Sequence, residues 1–429
     1  MTAAAEVPSS ADSLLARRKR LLGPAYSLFY KEPLHIVRGE GAWLYDAGNR
    51  RYLDMYNNVP HVGHCHPRVV EAIARQSSLL NTHTRYLHES VLDYAEQLTT
   101  TLPDGLTVAM FSCTGTEANE LALRIARAVT GGTGVIVTDY SYHGNSQAIS
   151  EISTEYARDA LPPHVVAVPA PDTYRGRYRG EDAAERYAEH VAQGIETLRS
   201  RGIRLAALVL DTIISSEGVV AVPPGYLSRA AGHARDAGGL FVADEVQPGL
   251  GRTGERFWGF ELDDVVPDIV TMGKPMGNGH PLAATVTRSD IAEAFARDSH
   301  YFNTFGGNPV SAAAGTAVLD VLREEKLQQN ALNVGQHLLR GLSRISEHRG
   351  SIGDIRGTGF FIAVELVTDR QSREPATAYA ADIVETLRNE GVLTNTIGRD
   401  DNILKLRPPM ILSEEDADMF LDILERVLR

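Results

Sequence analysis

The chain has 429 residues, too many for one small domain, and 43% hydrophobic against 23% charged residues is a globular balance that excludes a disordered or fibrous protein. Lys and Arg total 42 and Asp and Glu 55, a net charge of −13 that argues against nucleic acid or an anionic membrane as the main partner. Cys65 and Cys113 are too few to staple the chain, no apolar run reaches the roughly 18 residues of a membrane span, and the basic run Arg17–Arg20 leads into no signal-peptide core, so a cytoplasmic protein is expected.

From the N-terminus, residues 12–30 read as an amphipathic helix and its lead-in, with Leu14, Leu15, Leu21 and Leu22 set against the basic run as a solvated face. Between about residues 60 and 320, short apolar runs alternate with helical ones. Val135–Val137, Leu205–Leu210, Leu240–Ala243, Ile269–Val270 and Leu282–Val286 suit strands buried on both faces, while Ala118, Leu121, Ala122, Ile125, Ala126 and Val129 recur at helical spacing. The alternation predicts an α/β fold on a mainly parallel sheet covered by helices. Pro162-Pro163 and Pro169–Gly180 mark a long loop, and one long helical region is expected from 308 to about 348. The expected organisation is an N-terminal helix plus a segment of a small domain over 1–60, a large domain over 61–320, and a smaller α/β domain over 321–429. No repeat or low-complexity tract interrupts it.

Ligands of open α/β sheets collect at the carboxyl ends of the strands, so polar residues there are the candidates. Those strands end in Asp139 (leading to Tyr142-His143-Gly144), Asp211 (with Glu217 beyond), Asp244-Glu245 and Gly273-Lys274. A lysine ending a buried strand suits attack on a carbonyl, because burial favours loss of its proton. Ser112–Asn119 runs straight into the periodic helix, and a helix start with small and hydroxyl residues offers free N–H groups to a phosphate.

Gly115-Thr116-Glu117-Ala118-Asn119, Tyr142-His143-Gly144, Asp244-Glu245-Val246-Gln247, Gly251-Arg252-Thr253-Gly254, Lys274 and Thr304–Pro309 together resemble the class III aminotransferases, fold type I enzymes that use pyridoxal 5′-phosphate (PLP). The resemblance extends from about residue 25 to the C-terminus. It implies that Lys274 holds the cofactor covalently and shuttles protons, that Asp244 keeps the pyridine nitrogen protonated, and that Tyr142 stacks on the ring beside His143. It further implies that Gly115 and Thr116 hold the cofactor phosphate, that Thr304 reaches it from a neighbouring subunit of a homodimer, and that Glu217 and Gln247 line the ring's other edge.

Asn57–Pro67, Pro171–Gly176 and the stretch Thr271–Pro281 depart from the usual aminotransferase pattern and resemble the phospho-lyase branch, which acts on O-phosphoethanolamine and phosphohydroxylysine. The expected activity is elimination of phosphate from a phosphorylated amine; the alternatives are a class III aminotransferase and a PLP-binding protein without catalysis. A second phosphate must then be gripped, and planar bidentate recognition favours arginine: Arg85 and Arg407 are the candidates, with His61 and Asn58 drawn from the branch-specific segment. Three further patterns are declined. Gly249–Gly254 spells G-x-G-x-x-G but opens no amphipathic helix. His61, His64, Cys65 and His66 are too close in sequence for one tetrahedral site, so no metal is expected. The basic, aromatic Tyr174–Arg179 patch reads as a loop near the dimer interface rather than an RNA platform, with a substrate role for Arg175 left open.

Overall fold

The computed structural model describes residues 11–157 and 160–428. At its centre lies a seven-stranded sheet with the spatial order Leu106–Ser112, Ala283–Arg288, Ile269–Met272, Leu240–Asp244, Leu205–Asp211, Gly134–Thr138, Val165–Val168. The last five pair in parallel, and Ala283–Arg288 runs antiparallel to both of its neighbours. The inner strands read as unbroken apolar runs because helices cover both faces; Leu205–Asp211 is buried at every position. The expected mainly parallel sheet is present, with that one reversed strand. Its reversal makes the connection 273–282 a return at the carboxyl edge of the sheet, and Lys274 stands on it.

Helix Gly115–Thr130 follows the edge strand. Thr114 caps it by accepting from the Glu117 amide at 3.2 Å, the Glu117 carboxylate returns the contact to the Thr114 amide at 3.0 Å, and Gly131 ends it at φ 62°. Ala118, Leu121, Ala122, Ile125 and Ala126 are all buried, and full burial of each large side chain is worth about 1.5–3 kcal/mol.

The N-terminal and C-terminal parts of the chain fold together. One four-stranded sheet has the order Ile36–Glu40, Trp43–Asp46, Arg51–Asp54, Val392–Leu393, with Leu53 opposite Val392 in parallel register. A second has the order Ile352–Thr358, Phe361–Leu366, Ile403–Leu406, Asn395–Ile397. The N-terminal helix is Ala11–Leu22, and the lead-in over 23–30 continues without helix. One expectation is refined here. The helical region after 308 is two helices, Pro309–Glu324 and Leu327–His348, broken where Lys326 adopts φ 53°.

Candidate active site

Adjacent strands place Asp211 opposite Asp244 and Asp244 opposite Thr271 in register, so one row of the sheet ends in two carboxylates and a hydroxyl, with Lys274 three residues beyond. A cavity of about 350 Å³ opens over this edge. Helix-start residues Cys113–Thr116 form part of its wall, and Asn119, Tyr142, His143, Asp211, Asp244, Gln247 and Lys274 face into it.

Asp244 is the most tightly held of these. Its Oδ2 accepts from His143 Nδ1 at 2.7 Å and Asn119 Nδ2 at 2.9 Å, and its Oδ1 from the Val246 amide at 3.1 Å. Asn119 Nδ2 also donates to the His143 carbonyl at 2.8 Å, and its Oδ1 accepts from Thr271 Oγ1 at 2.6 Å. Burial opposes charging His143, but the Asp244 bond and the charges of Asp244, Glu217 and Asp211 outweigh it and raise the imidazole pKa. Burial pushes Asp211 up too, reinforced by Asp244.

Lys274 is pushed down from 10.5 to about 8, by burial first and the Arg407 charge second, with Asp244 and Asp211 opposing. Glu217 is a partly exposed residue with an enclosed carboxyl end, pushed up to about 7 by burial; Thr138 donates to its Oε1, and Oε2 is buried without a partner. Gln247 is a node. Its Nε2 donates to Ser215 Oγ at 2.6 Å, Ser215 Oγ donates to Asp211, and its Oε1 accepts from Arg407 and, at 3.3 Å, from Lys405 Nζ.

A second cavity of about 410 Å³ shares Val59 and Lys274 with the first, and adds Tyr30, Asp54, Tyr56, Asn58 and Arg407 among its lining residues. Arg407 donates from Nε to the Tyr56 carbonyl at 2.8 Å and lies 4.4 Å from the centre of the Tyr56 ring. Asn58 is buried, and its Nδ2 has no partner. The two distinctive segments interlock: Asn278 Oδ1 accepts from the Val62 amide and Nδ2 donates to the Gly63 carbonyl, both at 2.9 Å. The loop that carries the lysine is thereby braced against the 57–64 loop.

Other sequence candidates lie elsewhere. His61 is buried, donates from Nε2 to the Leu250 carbonyl at 2.8 Å and accepts at Nδ1 from Arg252 at 3.0 Å. Both ring nitrogens are used and its pKa is driven well below the ordinary value by burial and by Arg252, so it is a neutral brace between loops rather than a phosphate ligand. Arg85 is exposed, with its guanidinium 3.9 Å from the Phe302 ring centre; Thr304 is exposed two residues further along that segment, and neither lines either of these two cavities. Arg175 is bound to Glu365 and, at 2.7 Å, to Asp400, which leaves it no part in either cavity. His64 is held by Asp54 at 2.8 Å and His66 by Glu325 at 3.2 Å; among the described residues no group of three or more His, Cys, Asp or Glu is placed to hold a metal. Residues 249–254 form turns and no helix opens there. No helix of the described residues is long and apolar enough to cross a membrane.

Residues 28–428 match the model of the class-III aminotransferase family. The chain belongs to that family. Like its relatives in the family, it has the α/β architecture of the fold type I transferases and uses PLP. It is 42% identical over 416 residues (94% of this chain, 84% of the relative) to a Drosophila melanogaster protein named alanine–glyoxylate aminotransferase 2-like. It is 38% identical to ethanolamine-phosphate phospho-lyase homolog 1 of Caenorhabditis elegans, over 98% of this chain and 94% of that one. A phospholyase from Arthrobacter, solved in complex with phosphoethanolamine, superposes with a TM-score of 0.94 at 43% identity, covering 97% of this chain and 99% of that one.

The first cavity fits PLP. A Cβ on Gly115 would lie 2.9 Å from the Val246 methyl carbons, and one on Gly144 2.5 Å from Thr116 Oγ1, so the glycines keep the helix start open. That end could receive the cofactor phosphate, Asp244 the ring nitrogen, and Lys274 the aldehyde carbon. His143 Nε2, enclosed without a partner on this wall, is a polar atom such a ring would satisfy, whereas Glu217, with its unpartnered Oε2, is not among the residues that line the cavity. Asp211, a strand-end candidate from the sequence, and Asn119, read there only as part of the Ser112–Asn119 segment, belong to the site; Ser215 and Lys405 join it through Gln247 and were not singled out from sequence. Asn119 carries a readable signal, a polar residue on the buried stripe of an otherwise apolar helix face.

Proposed function

We propose that the protein is a PLP-dependent phospho-lyase that converts O-phosphoethanolamine, or a related phosphorylated amine, and water into acetaldehyde, ammonia and phosphate. The reading is carried by the wall of the second cavity, where Arg407, bound only to neutral groups, and the unpartnered amide of Asn58 stand beside Lys274. Asp54 and Asp211 act on this buried guanidinium only from beyond ion-pair distance, and a guanidinium so placed calls for an anion. The phospholyase from Arthrobacter and the worm relative support the same reading.

When bound, the cofactor withdraws electrons from the carbon bearing the substrate amine and makes its C–H acidic. In this reading Gly115 and Thr116 hold the cofactor phosphate. Asp244, fixed by three donors, keeps the ring nitrogen protonated, and Tyr142, His143, Glu217 and Gln247 border the ring. Lys274 takes the proton from the activated carbon. The electron pair left there expels phosphate from the next carbon, where Arg407 and Asn58 hold its oxygens. The enamine released takes up one water and yields the aldehyde and ammonia, so no keto acid is consumed.

The same reading makes the enzyme a cytoplasmic homodimer in which Thr304 serves the neighbouring subunit. Exposed Leu79, Tyr86, Leu87, Phe302 and Phe305 lie near Thr304 in sequence or beside Arg85, an apolar set suited to burial against a second copy. The names of the aminotransferase relatives favour a second reading, in which Arg407 takes a substrate carboxylate and an amino group passes to a keto acid. O-phosphoethanolamine supplied without any keto acid separates the two. Equal amounts of phosphate, acetaldehyde and ammonia should accumulate over many turnovers. A single turnover rescued by pyruvate would establish the aminotransferase instead.

A further inference from the structure

Lys405 and Arg407 flank Leu406 at the end of the strand Ile403–Leu406, and the period of a strand turns both cations to one face while Leu406 goes to the core. Lys405 is only 3% exposed. Its Nζ lies 3.3 Å from Gln247 Oε1, 3.4 Å from the Ser215 carbonyl and 5.2 Å from the Phe361 ring centre, none of them a carboxylate. Arg407 donates to the same Gln247 oxygen. Two buried cations therefore share one neutral acceptor, and Lys274 and Arg252 add positive charge around Arg407. The charged groups opposing Lys405 are Asp211 and Glu155, neither within ion-pair distance; burial, Arg407 and Lys274 prevail and hold the ammonium well below its ordinary pKa.

We propose that Lys405 is a specificity-determining residue that sets the charge of the substrate anion: it lies behind the cavity wall that carries Arg407, and through the shared Gln247 oxygen the two nitrogen groups suit a dianion such as a phosphate better than a single carboxylate. Burial and the neighbouring cations favour loss of the Lys405 proton in the empty site, and a doubly charged ligand favours its return, and so the second positive charge, more than a singly charged one does. Lys405 stands behind Gln247 and acts through it: with both cations on Oε1, the Gln247 amide can point only its Nε2 toward Ser215. It is a positioning and charge-setting group rather than a catalytic one. The inference rests on the proposed phospho-lyase reading and refines its substrate class.

The test compares two amines of matched length on the holoenzyme, 2-aminoethylphosphonate, a dianion near neutral pH, and β-alanine, a monoanion at its acidic end. Dissociation constants come from the change in cofactor absorbance. Lys405→Met should weaken the phosphonate by roughly 10- to 100-fold, the range of a charge-assisted contact, and β-alanine by less than about threefold. Lys405→Arg should restore most of the discrimination. Lys405→Gln, which keeps a donor to Gln247 without the charge, should behave as Lys405→Met does and serves if that variant misfolds. Equal losses for both amines, or no loss for the phosphonate, would overturn the proposal. The phospho-lyase reading fails separately: wild-type enzyme that prefers the phosphonate but releases no phosphate from O-phosphoethanolamine refutes the reaction and leaves Lys405 standing. Phosphate release with an unchanged preference in Lys405→Gln refutes only Lys405.

Discussion

Consider apoenzyme stripped of cofactor and mixed with PLP across a range of pH. Lys274 is held at about 8, by burial and then by Arg407, against an ordinary 10.5. At pH 7 such a group is about one-tenth neutral, whereas a lysine at 10.5 is neutral in only about one part in 3,000, so the reactive fraction is roughly 300-fold larger. Covalent capture of the aldehyde, followed by stopped-flow absorbance and trapped with borohydride, should climb until about pH 8 and then level off. N-acetyllysine under the same conditions should keep climbing past pH 10, which controls for titration of PLP itself. Arg407→Met removes a neighbouring positive charge, makes the ammonium easier to keep, and should move the inflection upward. An inflection near 10 in the wild type, or no shift in the variant, would refute the account of how this lysine is activated.

Asp244→Asn should lower turnover by several orders of magnitude with the circular dichroism unchanged, because an amide favours a protonated ring nitrogen far less than a carboxylate does; near-normal turnover would remove Asp244 from its role. Asn119→Ala deletes two donor contacts and one acceptor at a buried node, and should cost about 2–4 kcal/mol in urea unfolding; a loss under about 0.5 kcal/mol would show that the node is not needed for stability. Arg407→Ala should weaken substrate binding by roughly 10- to 150-fold, read as a rise in KM larger than the fall in kcat, and an unchanged KM would reassign the substrate anion to other groups.

The strands that end in Asp211, Asp244 and Lys274 were legible because a sheet covered on both faces leaves continuous apolar runs that stop where the polar edge begins. The strands Leu106–Ser112 and Val165–Val168 were not, since both lie at the edges of the sheet and mix buried with partly exposed positions. Ala283–Arg288 was found as a run, but direction leaves no trace in periodicity, so its antiparallel course was hidden. Asn58 and His61 were chosen together from one segment. Only the fold distinguishes them, giving one an unpartnered amide beside Arg407 and the other two hydrogen bonds to its ring. Lys405 escaped notice because a lysine in a strand reads as an exposed edge residue until the sheet shows it facing inward.

The bond from Arg407 to the Tyr56 carbonyl joins residues 351 positions apart, and Val392–Leu393 completes a sheet begun by Arg51–Asp54. On a ribosome delivering the chain from its N-terminus, the parallel core that ends in Asp244 and Lys274 is complete long before either partner of Tyr56 and Leu53 emerges. Such distant pairings are slow to close. In the proposed reading, the groups that would hold the cofactor are therefore made and folded well ahead of those that would choose the substrate.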